Sequence, residues 1–100
     1  MDSDHIYLLQ KYPDRCPIII DKKKSVKMSK YKFLVPRYFS MGELFYYLRK
    51  RVFNLNSSEA LFMFIRNSII SNSLNLNEVY EENKINGILY ITLVRENVFG

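Results

Sequence analysis

Cys16 and His5 are the two side chains in this sequence that could pair as a nucleophile and its general base, for the chain has one cysteine and one histidine. Such a pair needs the thiol within hydrogen-bond reach of the imidazole. His5 falls in an amino-terminal stretch with helical spacing, and Cys16 is wedged between Arg15 and Pro17. The cysteine therefore reads as a packed thiol that fills space. A metal centre asks for several His, Cys or carboxylate ligands at workable spacings, which this sequence does not offer. Gly42, Gly87 and Gly100 are its only glycines, so no phosphate-cradling glycine loop can form. Glu81 and Glu82 are neighbours on a polar face and read as solvated charge. No catalytic residue and no cofactor are expected, and the protein is not expected to be an enzyme. One reactive group remains, the carboxylate of Gly100 at the end of "ENVFG". Without a Cβ, a terminal glycine can lie in a narrow channel and let another group approach its carboxylate closely.

Charge supplies the second functional signal. The net charge is +5, and the cations gather in "DKKKSVKMSKYK" and "YYLRKRV". Clusters of this kind attract phosphates, anionic headgroups or acidic peptides, or simply form a solvated basic face. Nucleic acid is not expected as the partner, because the chain lacks the aromatic-rich blocks that put stacking residues on a sheet. The apolar runs fall far short of the roughly 20 residues a bilayer-spanning helix needs. Asp2, Asp4 and His5 stand where a signal peptide would be basic and apolar. A lone cysteine excludes an internal disulfide and agrees with a reducing compartment, so a cytoplasmic location is expected.

The elements that position these groups follow from periodicity. Hydrophobic residues make up 48% and charged residues 25% of 100 residues, the balance of one ordinary globular domain spanning 1–100. "SDHIYLLQKY" reads as a short helix stopped by Pro13. "PIIID" and "YKFLVP" read as strands joined by the basic loop from Lys22 to Lys30. In "SMGELFYYLRKRV", Ser40 and Glu43 make a capping box, and Met41, Leu44, Phe45, Leu48 and Val52 fall on one helical face. "ALFMFI" reads as a buried strand before a tight turn at Arg66-Asn67-Ser68, and "LNLNEVYEEN" as a short helix. Asn86-Gly87 turns the chain into the last strand, "ILYITLV". A four-stranded mixed sheet with the long helix over one face, an α+β architecture, hides these apolar faces best.

"KYPDRCPIII", "KFLVP", "LRKRV" and "ENVFG", in that order, resemble the autophagy-related ubiquitin-like modifiers, the autophagy-related protein eight and GABA-receptor-associated protein family. The resemblance runs from about Asp4 to Gly100. It implies a ubiquitin-like β-grasp in which 1–12 is a helical extension and 96–100 a flexible reactive tail. It also implies that Gly100 is activated, passed to a conjugating enzyme and amide-linked to phosphatidylethanolamine, with Phe99 helping the tail enzymes grip. Partners implied are the activating and conjugating enzymes, a deconjugating cysteine protease, and cargo receptors with an aromatic-x-x-aliphatic motif. Localisation would be cytoplasmic, and peripheral on autophagosomal or related membranes once lipidated. Because nothing follows Gly100, the expectation is a chain ready for conjugation or one trimmed to that residue.

The same resemblance places peptide capture beside the second strand. A first pocket, for the aromatic, would comprise Leu8, Pro17, Ile19, Leu34, Ile88 and the stem of Lys32. A second, for the aliphatic, would use Phe33, Val35, Pro36, Phe39, Leu44 and Tyr47. Arg15, Lys30, Lys32 and Arg51 would meet acidic residues flanking the motif. Against the family pattern, only one helix fits ahead of Tyr12, and Phe39 and Tyr47 are bulkier than the usual aliphatics, which implies a shallower second pocket. Ile70-Ser71 replaces a pair of prolines, and Arg95 stands where relatives often have glycine. A soluble adaptor that keeps the groove but is never conjugated is the alternative.

Overall fold

The structure is a computed structural model in which residues 10–56 and 58–97 are described. Gln10 and Lys11 are helical; the rest of the expected amino-terminal helix, with His5 and Leu8, lies outside the described residues, as do Phe99 and Gly100. The elements in order are β1 (Arg15–Ile20), β2 (Lys32–Pro36), α1 (Met41–Arg49), β3 (Glu59–Ile65), β4 (Ser68–Ile69), α2 (Leu76–Asn83) and β5 (Leu89–Asn97). The strands form one sheet in the order β2-β1-β5-β3-β4, with β1 and β5 parallel and every other pair antiparallel.

Period-two alternation decides which face is the core. Cys16, Ile18 and Ile20 of β1, Phe33 and Val35 of β2, Leu61, Met63 and Ile65 of β3, and Leu89, Ile91 and Leu93 of β5 are all buried in one cluster. Met41, Leu44 and Leu48 of α1 and Leu76, Val79 and Tyr80 of α2 close that cluster from the helical side. Both helices begin where sequence dictates. The Ser40 hydroxyl accepts the Glu43 N–H at 3.0 Å while the Ser40 N–H donates to the Glu43 carboxylate at 2.8 Å. Asn75 caps α2 by accepting the Asn77 N–H at 2.9 Å.

The sheet has five strands, one more than four. Arg66 and Asn67 both take positive φ, 53° and 65°, so the expected tight turn is of the two-residue kind whose twist suits a hairpin. It folds Ser68 and Ile69 back onto Ile65 and Phe64. A two-residue strand leaves too little alternation to be read from sequence. β5 is also longer than expected: Glu96 and Asn97 pair with Ala60 and Glu59, so the ladder runs two residues into the segment expected to be tail. Asn86 and Gly87, at φ 51° and 80°, form a second turn of the same kind, closed by reciprocal Ile85 and Ile88 backbone bonds of 2.8 and 3.0 Å.

Candidate functional site

β2 pairs with β1 on one side and with no strand on the other among the described residues. Which of its backbone groups point outward follows from two bonds that bracket the hairpin. Ile20 N–H donates to Tyr31 O at 2.8 Å, and Arg37 N–H donates to Asp14 O at 3.0 Å. In an antiparallel ladder, bonded and non-bonded pairs alternate. With Ile18 opposite Phe33 and Cys16 opposite Val35, Phe33 and Val35 spend their N–H and C=O groups on β1. Lys32 and Leu34 therefore turn theirs outward. Pro36 has no N–H to offer, which is tolerable only on such an edge, and its carbonyl accepts Phe39 N–H at 3.3 Å. The open edge thus presents the amide groups of Lys32 and Leu34.

Side chains divide the same edge between two faces. Leu34 stands opposite Pro17 and Lys32 opposite Ile19 on the face away from the core, and Tyr90 stands beside Ile19. An open cleft of about 630 Å³ lies here, its walls including Ile19, Lys32, Tyr31, Lys22, Ile85 and Tyr90. Of the first pocket's expected residues, Ile19 and Lys32 line this cleft. Pro17 is buried and Leu34 partly buried. Ile88 is 0% exposed and stands apart from the main core cluster, so it presents no surface of its own. Leu8 lies outside the described residues.

On the helical side a smaller cleft of about 340 Å³ is walled by Phe39, Glu43, Tyr46, Tyr47, Lys50 and Arg51. Phe39 and Tyr47 are the two expected second-pocket residues in its wall. Behind them Phe33, Val35 and Leu44 are core side chains, with Leu44 0% exposed, while Pro36 is partly buried at the strand end. The rings interlock edge to face, with centroids 5.8 Å apart for Phe33 and Tyr47 and 6.2 Å for Phe39 and Tyr47. Edge-to-face pairs of this kind add about 0.5–1.5 kcal/mol each to the burial that holds the wall together.

The expected basic rim is distributed around this edge. The Arg51 guanidinium lies 3.8 Å from the Tyr47 ring centroid and donates to Tyr47 O at 2.7 Å. The Lys30 ammonium is 5.1 Å from the Phe33 ring centroid. Arg15 is exposed, 5.7 Å from the Tyr12 ring. Sequence reasoning missed Glu43, Tyr46 and Lys50 on the helical side, although they share one helical face with Tyr47. It also missed Tyr31, Ile85 and Tyr90, which only the strand order brings beside Ile19.

Arg37 secures the far end of the edge. Its guanidinium donates to Pro13 O at 2.9 Å, Asn77 Oδ1 at 2.8 Å and Glu81 Oε2 at 3.0 Å, and stacks 4.9 Å from the Tyr80 ring. Hydrogen bonds from Lys84 and Arg37 hold the Glu81 carboxyl below its ordinary range. Burial pushes the Cys16 thiol up to about 11, so it is a protonated, unreactive thiol at neutral pH. Burial likewise raises the Tyr80 phenol, whose O–H donates to Gly87 O at 2.6 Å. Among the described residues no three His, Cys, Asp or Glu side chains are grouped to hold a metal, and no helix is long and apolar enough to cross a membrane.

The family model described as "Autophagy protein Atg8 ubiquitin like" matches residues 1–100. The chain belongs to the Atg8 family. Its curated relatives include Autophagy-related protein 8 of Schizosaccharomyces pombe, 39% identical over 91% of this chain and 78% of that protein. Another is Autophagy-related protein 8c of Arabidopsis thaliana, 36% identical over 91% of this chain and 79% of that one. Among solved structures, Trypanosoma brucei ATG8 superposes with a TM-score of 0.81 at 32% identity, covering 98% of this chain and 87% of that chain. The fold of this Atg8-family chain is accordingly ubiquitin-like, and its function is that of an autophagy-related ubiquitin-like protein.

Proposed function

We propose that this Atg8-family protein is a modifier joined through the Gly100 carboxylate to phosphatidylethanolamine, and that it recruits receptors by adding their peptides as a strand beside β2. The protein is then the substrate of its activating and conjugating enzymes and of a deconjugating cysteine protease; its own side chains do no catalysis. Attachment would make it peripheral on autophagy-related membranes.

The observation that carries the recruitment reading is an open strand edge flanked by a cleft on each face. In an extended peptide, residues i and i+3 point to opposite faces of the sheet. A peptide paired to Lys32 and Leu34 would therefore send an aromatic residue into the 630 Å³ cleft and an aliphatic residue three positions on into the 340 Å³ cleft. Backbone pairing supplies affinity and the two pockets supply specificity, the general logic of strand addition. Lys30, Lys32 and Arg51 would favour acidic residues around the motif.

The conjugation reading is tested by the intact mass of the protein after incubation with the activating and conjugating enzymes, ATP and phosphatidylethanolamine liposomes. A lipid-sized gain that Gly100→Ala abolishes is expected, with peptide binding unchanged in the variant. No gain, with enzymes active on another family member, would leave a soluble adaptor whose last glycine is inert.

A further inference from the structure

The cations after β1 serve neither cleft of the peptide edge in full, and a third concavity uses them. Residues 24–27 are strapped along β5: Val26 N–H donates to Leu93 O at 2.9 Å, and Leu93 N–H donates to the Ser25 hydroxyl at 3.0 Å. Phe53 N–H donates to Lys27 O at 2.9 Å, and the Arg95 guanidinium donates to Phe53 O at 2.9 Å and Asn54 O at 3.1 Å. Together they enclose a cleft of about 450 Å³ lined by Lys24, Lys27, Phe53, Val94 and Arg95 among others, with no carboxylate in its lining.

Two of the three cations in this cleft are uncompensated. Arg95 is answered by Glu59 at 3.2 Å, but among the described residues Lys24 and Lys27 take part in no ion pair. The nearest acid in sequence, Asp21, turns Oδ1 to the backbone N–H groups of Lys23 and Lys24 at 3.0 and 3.3 Å. Phe53, 49% exposed, lies among these cations. An exposed aromatic ring set between lysines is the composition of a surface that sits at a lipid headgroup layer.

Position decides which anion is meant. Gly100 is the third residue after Asn97, the last of β5, so it lies at most about 11 Å from it. A tail tied to a headgroup holds the end of β5 close to the bilayer. Val26 meets that strand at Leu93, four residues or about 13 Å before Asn97, so the tether confines Lys24 and Lys27 to within about 25 Å of the bilayer, and a lean of the domain completes the contact within the roughly 8 Å over which charge acts at physiological salt. We infer that the cleft between residues 24–27, Phe53 and β5 is a docking surface for anionic lipid headgroups, with Lys24 and Lys27 contacting phosphates and Phe53 seated at the headgroup level. The tether argument rests on Gly100 being the conjugation site; the charge contact itself does not.

The test uses the full, unconjugated chain, sedimented with vesicles of phosphatidylcholine alone or with added phosphatidylserine. The wild type is expected to partition onto the anionic vesicles in preference to the neutral ones, and salt should weaken it. Each lysine is worth about fivefold in partitioning, so Lys24→Gln/Lys27→Gln should lose on the order of twentyfold, and Phe53→Ala should lose a smaller factor at unchanged charge. Gly100→Ala should partition as the wild type does, which separates this surface from the conjugation reading. Equal partition onto both vesicles overturns the inference, as does a double lysine variant that binds like the wild type. Single-stranded RNA binding lost in the double variant while vesicle binding persists would assign these lysines to nucleic acid instead.

Discussion

Leu34→Pro should weaken receptor-peptide binding strongly while sparing the fold, because Leu34 is one of the two residues whose backbone amide faces the open edge. Its pairing with Pro17 is a non-bonded pair of the hairpin, so replacing its N–H removes nothing from the β1–β2 ladder. Phe33, ahead of it, is already in the extended backbone that a following proline requires. Binding loses one peptide hydrogen bond, worth about 1 kcal/mol net, and leaves a peptide carbonyl desolvated against the ring, worth about 1–2 kcal/mol more. The sum of about 2–3 kcal/mol is some thirty- to hundredfold in Kd. Because the substitution also deletes part of a pocket side chain, the reference is Leu34→Ala rather than the wild type. Fluorescence anisotropy with a labelled aromatic-x-x-aliphatic peptide gives the Kd values, and thermal melts of both variants check the fold. Equal affinities for Leu34→Pro and Leu34→Ala, with matched melts, would refute strand addition at this edge. Val35→Pro provides the opposite control, since that N–H belongs to the ladder and its loss should unfold the hairpin.

Two further predictions concern stability. Ser40→Ala removes the hydroxyl that accepts Glu43 N–H, leaving the backbone half of the α1 capping box, and should cost about 1 kcal/mol, seen as a fall of about 4–8 °C in Tm for a domain of this size; an unchanged Tm would mean that α1 is held by its packing alone. Cys16 ionises at about 11 when folded against an ordinary 9.0. The unfolded chain therefore releases the thiol proton first as pH rises. This contribution is full below pH 9 and declines until pH 11, by about 2–3 kcal/mol for the two-unit difference. Denaturant titrations across that range should show a decline that is shallower in Cys16→Ala; identical slopes would place the thiol in contact with solvent.

Much of this architecture is written in local sequence. Ser40 and Glu43 mark the start of α1 without reference to anything distant, and the alternation of Phe33 and Val35 with Lys32 and Leu34 separates core from edge within five residues. Asn86-Gly87 is a turn because its residues tolerate positive φ. Arg66-Asn67 takes the same conformation, although arginine has no such preference, and so β4 could not be read. The helix face ends sooner than its apolar spacing implies: α1 stops at Arg49, and Val52 instead bridges to Met28 of the basic loop. Clefts are harder still. Tyr90 lies far from Ile19 in the chain, and only the parallel pairing of β1 with β5 sets them side by side. Resemblance brought Val35, Leu44 and Ile88 into the pockets, yet each is buried and presents no surface to a cleft. A residue can shape a cleft by filling the space beneath it, and that role leaves no mark in its exposure.

An unpaired edge invites any strand, including the same edge of a second copy. Here Lys32 lies on the strand itself, with Arg15 and Lys30 exposed nearby, so two copies meeting edge to edge would set like charges against one another, an arrangement that cross-strand pairing penalises. A peptide with acidic residues around its anchors meets the opposite field and is favoured by the same cations. Pro36 limits the edge further, for it withholds an N–H and its carbonyl is occupied by Phe39 N–H. What remains is a window of two outward amides between two clefts, too short to nucleate a sheet without side chains that fill both. On the proposed strand-addition reading, selectivity would come from requiring backbone pairing, an aromatic anchor, an aliphatic anchor and negative charge together, where each alone would bind weakly.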